Sequence, residues 1–163
     1  LHGSSAASDV YKRQVWEWLQ TRGRRHHFEG VVERGDMRQI IKRLKSGRAM
    51  WYAADQDYGR KHSVFAPFFG IATATITVSS RLAERNDSPV LMLHQLRDIR
   101  RRTWTLRFSP VLRNFAQGDL ESDATALNQM LESTLRQVPE QYLWMHRRFK
   151  TRPQGEDSFY RKG

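Results

Sequence analysis

The chain has 163 residues, a net charge of +11 and no cysteine. This length suits one ordinary domain with a buried core, and the absence of thiols excludes disulfide scaffolds, thiolate zinc sites and cysteine nucleophiles. The sequence contains no run of about 18 apolar residues, so it predicts no membrane-spanning helix. The excess of basic residues favours a polyanionic partner: nucleic acid, an anionic membrane, a phosphorylated lipid or an acidic carrier protein.

The amino-terminal stretch differs from the rest of the chain. Residue 1 is Leu rather than Met, and residues 1–14 have neither a helical or strand period nor the apolar core of a signal peptide. The stretch resembles adapter-derived strings at the ends of translated sequence assemblies. We expect residues 1–14 to be a non-native or disordered tail and the chain to be truncated upstream.

An α/β unit follows. Asp36 suits the N-cap of a helix, and Gly47 suits its C-terminal stop. Between them the apolar residues fall on one helical face: Met37, Ile40, Ile41 and Leu44. The apolar run 49–54 has the length of a buried strand and ends in the polar loop 55–59. Open α/β sheets place their ligands at such strand ends.

The middle of the chain mixes two patterns. Residues 71–83 are rich in β-branched side chains, which favours a strand, but their apolar spacing follows a helix face, and we predict a helix. Residues 90–95 and 103–108 predict two strands, and the charged connection between them indicates an antiparallel pair.

Two helices are predicted near the carboxyl end. Ser122 or Asp123 should open a long amphipathic helix. Pro139 suits the first position of a last helix, whose basic end, with Arg147 and Arg148, would compensate the helix dipole. The fold class predicted from all these elements is α/β.

Three segments carry a family resemblance. They are Trp18–Gly23, Trp51–Gly59 followed by Ser63–Gly70, and Pro139–Pro153. In this order and spacing they resemble the lipid A late acyltransferases, of the lauroyl acyltransferase type, over residues 15–160. Ala54 stands where the family usually has Pro. The resemblance implies a partial glycerolipid-acyltransferase-like mixed sheet flanked by helices, with residues 15–163 forming the carboxyl-terminal half of a single acyltransferase domain.

The resemblance also implies an activity and partners. A family member transfers a fatty acyl group from acyl carrier protein to a hydroxyl of a phosphorylated glucosamine disaccharide lipid that bears Kdo sugars. It does so at the cytoplasmic face of the inner membrane, whose anionic surface is an expected partner. No cofactor, no metal and no nucleic acid are implied.

The family's catalytic pair is a histidine with an acidic residue five positions later, in which the histidine acts as general base. None of the six histidines here has such a partner. The residues found at that distance are Ala7, Val31, Val32, Pro67, Ile99 and Thr151. The resemblance therefore implies no catalytic residue in this chain and a dyad upstream of it, so we expect the fragment alone to be inactive.

Candidate substrate-binding residues lie on the loop after the predicted strand. Asp55 and Asp57, which flank Gln56, could orient the sugar acceptor or an arginine of the same pocket; an Asx turn that ends the strand is the alternative. The following residues, Tyr58, Arg60 and Lys61, could meet a phosphate or a Kdo carboxylate, or form a solvated basic loop.

Candidates also lie in the predicted last helix. Arg147 and Arg148 could bind acidic headgroups or a lipid phosphate through bidentate contacts, with dipole compensation as the alternative. We expect His146 to pack in the core. The aromatic stripes are expected in the core rather than in an acyl groove: Trp16 and Trp18, and Phe65, Phe68 and Phe69.

Two other functions compete with this interpretation. A related acyltransferase acting on a phospholipid or glycolipid would share the chemistry and differ in its acceptor. A basic nucleic-acid-binding module would explain the charge, but the basic residues are spread along the chain and no zinc, RRM or helix-turn-helix signature is present.

Overall fold

A computed structural model describes residues 4–33 and 35–160. Helices and short antiparallel sheets alternate along the chain, which confirms the predicted α/β class. The chain divides into two compact units, the first ending at Ser46 and the second beginning at Gly47. Within the described ranges, no helix combines the length and apolar character needed to cross a membrane.

The first unit consists of two helices, α1 at Ser4–His27 and α2 at Met37–Lys45. Asp36 caps α2 as predicted, because its carboxylate accepts a hydrogen bond from the Gln39 amide at 3.0 Å. Residues 4–14 lie in α1, where a tail without regular structure was expected. The non-native origin of this stretch stays a prediction, and residues 1–3 lie outside the described residues.

The second unit contains a tight β-hairpin. Its strands are β1 at Ser63–Phe68 and β2 at Ile71–Ile76, after a 3-10 turn at Arg60–His62. The two loop residues, Phe69 and Gly70, both have positive φ angles, 51° and 76°, as hairpins with two-residue loops favour. The helix predicted over 71–83 is therefore wrong in its first half, where the turn and the β-branched side chains favour the strand; the helix, α3, covers Val78–Asn86.

A second hairpin is formed by β3 at Leu93–Asp98 and β4 at Thr103–Phe108, antiparallel as predicted. The two hairpins form separate two-stranded sheets. The predicted mixed sheet is therefore wrong for the described residues. The strand predicted at 49–54 is wrong as well: these residues form neither helix nor strand, since none of the described strands pairs with them.

Helix α4 covers Leu120–Leu135 and packs against β1. It begins earlier than predicted because Asp119 caps it, accepting hydrogen bonds from the amides of Glu121 and Ser122. The predicted last helix is wrong. Two 3-10 turns replace it, at Pro139–Gln141 and Trp144–His146. Arg147 follows with a φ of 50°, a left-handed conformation that ends the second turn.

Candidate functional site

Asp57 connects the polar loop, residues 55–59, to the carboxyl-terminal segment, residues 139–153. Asp57 is buried, with 4% of its surface exposed. Oδ1 accepts hydrogen bonds from the Gly59 amide at 2.9 Å and from the Thr151 hydroxyl at 2.8 Å, and Oδ2 accepts one from the Thr151 amide at 2.8 Å. The bond from Gly59 is an Asx turn. Because both oxygens are used within the protein, Asp57 holds the loop in place rather than facing a ligand.

Tyr142 makes a second connection between the same two segments. Its hydroxyl donates a hydrogen bond to the Asp55 carbonyl oxygen at 3.1 Å. Burial, and next the charge of Asp55, raise the pKa of Tyr142 to about 12, so the hydroxyl remains a donor at neutral pH. The Asp55 carboxylate is half-buried and accepts no hydrogen bond from the described residues. That carboxylate is therefore available to a ligand hydroxyl.

Arg148 lies inside the protein, with 1% of its surface exposed. Its Nη1 donates to the Ala74 carbonyl oxygen at 2.6 Å. Its Nη2 donates to Thr75 Oγ1 at 3.0 Å and to Asn128 Oδ1 at 3.2 Å. Its guanidinium carbon lies 5.4 Å from the centre of the Phe68 ring. The predicted contact of Arg148 with an external headgroup is therefore wrong, since its donors point into the core.

Burial lowers the pKa of Arg148, while the neighbouring Tyr142, Asp57 and Asp55 act in the opposite direction. No carboxylate of the described residues forms an ion pair with it. Its charge is instead balanced by hydrogen-bond acceptors and an aromatic face. Loss of any of these partners would leave another buried donor without an acceptor, which is costly.

Arg152 and Arg148 together cover the open edge of the first hairpin. Arg152 Nη1 donates to the Ala72 carbonyl oxygen at 2.6 Å, two residues before the Ala74 carbonyl that Arg148 binds. Both carbonyls lie on the edge of β2 that does not pair with β1. The two arginines thus satisfy backbone acceptors that a further strand would otherwise bond.

Arg60 completes the connection between the loop and the carboxyl-terminal segment. Its Nη2 donates to the Arg152 carbonyl oxygen at 2.6 Å, and Arg152 itself forms an ion pair with Glu156. Three contacts, from Asp55, Asp57 and Arg60, therefore bind the loop to residues 142–152.

The remaining predicted site residues stay at or near the surface. Gln56 and Tyr58 are half-buried and bonded to each other, with the Tyr58 hydroxyl donating to Gln56 Oε1 at 2.7 Å. Lys61 and Arg147 are exposed, and the Arg147 guanidinium lies 5.7 Å from the centre of the Tyr160 ring. Across the described ranges, no group of three or more metal-ligating side chains could hold a metal ion. The surface of the site is therefore cationic and hydrogen-bonding.

An open groove of about 570 Å³ is formed by the carboxyl-terminal 3-10 turns, the end of α4 and the turn of the first hairpin. It is lined by Phe69, Leu135, Arg136, Pro139, Trp144 and Phe149. The expectation that the aromatic stripes lie in the core holds for Phe68, which is fully buried. It is wrong for Phe69, which is half-buried and lines this groove, and for Trp16 and Trp18, which are 63% and 56% exposed. His146 is exposed too, because it ends a 3-10 turn instead of lying on a helix face.

Four residues of this network were not singled out from the sequence: Asn128, Tyr142, Thr151 and Arg152. The last three lie in Pro139–Pro153, a segment that carried the family resemblance. For Asn128 the signal was its position one turn after Ala124, on the apolar stripe of α4. A polar side chain on such a stripe indicates a buried hydrogen-bond partner.

Similarity to known proteins covers this network as far as Thr151. Residues 3–151 match the family model of the bacterial lipid A biosynthesis acyltransferases. The chain is 38% identical over 151 residues to the lipid A biosynthesis palmitoleoyltransferase of Escherichia coli K12, covering 92% of this chain and 49% of that protein. It is 37% identical over 145 residues to the lipid A biosynthesis lauroyltransferase of the same organism, covering 88% and 47%. The chain spans about half the length of the curated relatives it matches.

Proposed function

Because the chain belongs to the bacterial lipid A biosynthesis acyltransferase family, we propose that it is part of an enzyme that acylates a lipid A precursor. The donor is an acyl thioester on acyl carrier protein, and the acceptor is a hydroxyl of a phosphorylated, Kdo-bearing glycolipid. The acceptor oxygen forms an ester bond with the acyl carbonyl carbon while the carbon–sulfur bond breaks. The hydroxyl proton ends on the thiol of the carrier.

The role proposed for this chain is to bind the acceptor through loop 55–61, which is the polar loop 55–59 together with Arg60 and Lys61. The observation that carries this proposal is the set of three contacts that hold the loop against residues 142–152. A loop held in this way presents its free side chains in a fixed geometry, which lowers the entropy cost of binding.

Each predicted residue then has a defined part. Arg60 and Lys61 meet a phosphate or a Kdo carboxylate, since both are exposed cations on the loop. The Asp55 carboxylate accepts a hydrogen bond from a sugar hydroxyl, and the Gln56–Tyr58 pair lines the same loop. Asp57 is a positioning residue, because its oxygens are occupied by Gly59 and Thr151.

The two neighbouring arginines differ in their parts. Arg147 is exposed and is proposed to contact an acidic headgroup. Arg148 is a positioning residue, because it joins residue 148 to β2 and α4 inside the core. The general base is assigned to no residue of this chain, since none of its histidines has the acidic partner five positions later.

The complete enzyme is proposed to act at the cytoplasmic face of the inner membrane. The net charge of +11 supports this location, because anionic headgroups attract basic proteins at a membrane surface. The charge also suits acyl carrier protein as an acidic partner.

A chimaera tests the proposed function. This chain replaces the aligned half of the palmitoleoyltransferase relative, and the purified protein is incubated with acyl-acyl carrier protein and a Kdo-bearing lipid A precursor. Mass spectrometry should show an acceptor that has gained one acyl group. A matched chimaera with the histidine of the catalytic pair replaced by alanine should give none. A folded chimaera that acylates no lipid A precursor would contradict the proposal.

A further inference from the structure

The β3–β4 hairpin presents an apolar face to solvent. Residues paired directly across the two strands share a face, and one face contains Leu93 with Phe108, Gln95 with Leu106, and Arg97 with Trp104. Its three largest apolar side chains are 56–59% exposed: Trp104, Leu106 and Phe108. Contiguous apolar exposure of this kind marks a contact surface rather than a solvated one.

The turn of the same hairpin is strongly basic and lies at the end of this face. Ile99 is 72% exposed and is followed directly by three arginines, Arg100, Arg101 and Arg102. With Arg97 on the face itself, these side chains carry four positive charges, whereas Asp98 and Arg107 belong to the opposite face of the hairpin. The Arg97 guanidinium carbon lies 5.5 Å from the centre of the Trp104 ring, which places a cation against the aromatic face.

The hairpin is held in place by the carboxyl-terminal segment. The Arg97 amide donates to Gln141 Oε1 at 2.8 Å, and Gln141 Nε2 donates to the Arg97 carbonyl oxygen at 3.0 Å. One glutamine therefore satisfies both backbone groups at this point of the β3 edge. The exposed face is fixed before it meets any partner, which reduces the entropy lost on binding.

We propose that this hairpin face, formed by the pairs 93/108, 95/106 and 97/104 together with the turn 99–102, docks onto an anionic lipid bilayer. The inference deepens the membrane location proposed above and rests on it. Trp104 suits the headgroup level, where an amphipathic ring meets both apolar chains and water. Ile99, Leu106 and Phe108 supply apolar area for the acyl region, and the arginines supply charge complementarity to phosphate. The exposed aliphatic side chains Ile99 and Leu106 favour lipid over nucleic acid, because bases stack on aromatic rings and gain little from aliphatic area.

Site-specific labelling tests the contact. The chain has no cysteine, so Ile99→Cys and Leu106→Cys each give one labelling site for an environment-sensitive dye. Gln129→Cys, an exposed position on α4, is the control. With vesicles of equal parts phosphatidylcholine and phosphatidylglycerol, emission should shift to the blue at 99 and 106 but not at 129. With phosphatidylcholine alone, the shifts should be weak.

A charge-matched pair of variants tests the arginines. Replacing Arg100, Arg101 and Arg102 by Gln should lower vesicle partitioning on the order of 100-fold, because each basic residue near an anionic surface contributes about 1 kcal/mol. The same change at Arg38, Lys42 and Lys45 on α2 alters the net charge equally and should have a much smaller effect. Circular dichroism checks that both variants stay folded.

Several outcomes would overturn the inference. Binding of the labelled chain to anionic vesicles without a shift at 99 or 106 would place the membrane contact elsewhere. A shift with single-stranded RNA but not with vesicles would make the face a nucleic-acid surface. A shift with vesicles that disappears in the active chimaera would show that the face is covered by the rest of the enzyme. Acyl transfer by the chimaera is measured independently, so either proposal can fail alone.

Discussion

Asp57 and Thr151, 94 residues apart in the chain, are joined by two hydrogen bonds of 2.8 Å. Both oxygens of the buried carboxylate take part, since one accepts the Thr151 amide proton and the other the Thr151 hydroxyl proton. The sequence left two roles open for Asp57: orienting the acceptor or an arginine, or forming an Asx turn that ends the strand. Its hydrogen bonds give it a structural part, so its loss is expected to affect stability at least as much as activity.

We expect Asp57→Ala to lower the free energy of unfolding by about 2–4 kcal/mol, because it leaves buried donors of Gly59 and Thr151 without an acceptor. Urea unfolding measures the change. Asp157→Ala, at an exposed aspartate, should stay within about 0.5 kcal/mol. Hydrogen exchange at the Thr151 amide should accelerate only in the Asp57 variant. Unchanged exchange there would contradict the proposed structural part.

Arg148 and its neighbour Arg147 provide a second test. Arg148→Ala should cost about 3–5 kcal/mol of unfolding free energy, because it removes the donors to Ala74, Thr75 and Asn128 inside the core. Arg147→Ala should cost less than about 1 kcal/mol, since it loses an exposed contact with the Tyr160 ring. Arg148→Lys keeps the positive charge but loses the paired guanidinium donors, so its loss of unfolding free energy should lie between those of the two alanine variants. Equal losses at 147 and 148 would contradict the assignment.

The difference between these two arginines shows why the site was only partly predictable. They are identical side chains in adjacent positions, so neither composition nor spacing in the sequence can distinguish the buried arginine from the exposed one. Arg147 takes a left-handed backbone conformation that ends the preceding turn. Arg148 then points at the edge of β2, which is formed by residues more than seventy positions earlier. Long-range geometry of this kind leaves no local pattern.

Elements specified by local chemistry were predicted well. The cap at Asp36 and the strand Thr103–Phe108 agree with the structure, because capping and β-branched alternation act within a few residues. The segment 71–76 was predicted as helix, because its apolar spacing fits both periods. The two-residue turn Phe69–Gly70 makes this segment the second strand of a hairpin, and Gly70 was the sequence feature that could have indicated the turn.

The ionisation of Tyr142 predicts a loss of stability at high pH. Its folded pKa of about 12 exceeds the ordinary 10.0, so the folded protein keeps a proton that the unfolded chain releases. The resulting stabilisation is complete below pH 10.0 and is lost as the pH rises toward 12. Tyr142→Phe should flatten this part of the stability profile.

Ultraviolet titration of tyrosinate measures the same group directly. Tyr142→Phe should remove the most alkaline step, and Asp55→Asn should lower the pKa of Tyr142, since the Asp55 charge is one cause of its rise. Ionisation of Tyr142 at the ordinary pKa would show that its hydroxyl is not buried against the loop.

The isolated chain should transfer no acyl group from acyl-acyl carrier protein, because no histidine in it has the acidic partner five positions later. Incubation with donor and acceptor, followed by mass spectrometry of the lipid, checks this. Turnover above a control without protein would require another general base within these 163 residues.

The most direct test of the account is whether loop 55–61 recognises the phosphate of the acceptor. In the active chimaera, Lys61→Gln should raise KM for the phosphorylated acceptor about fivefold with little change in kcat, since an exposed charge pair contributes about 1 kcal/mol. Lys45→Gln on α2 is the control. With an acceptor that lacks the phosphate, Lys61→Gln should have no effect where Lys61 meets the phosphate, and an equal rise in KM for both acceptors would assign Lys61 to the Kdo carboxylate. An unchanged KM for both acceptors would contradict the account.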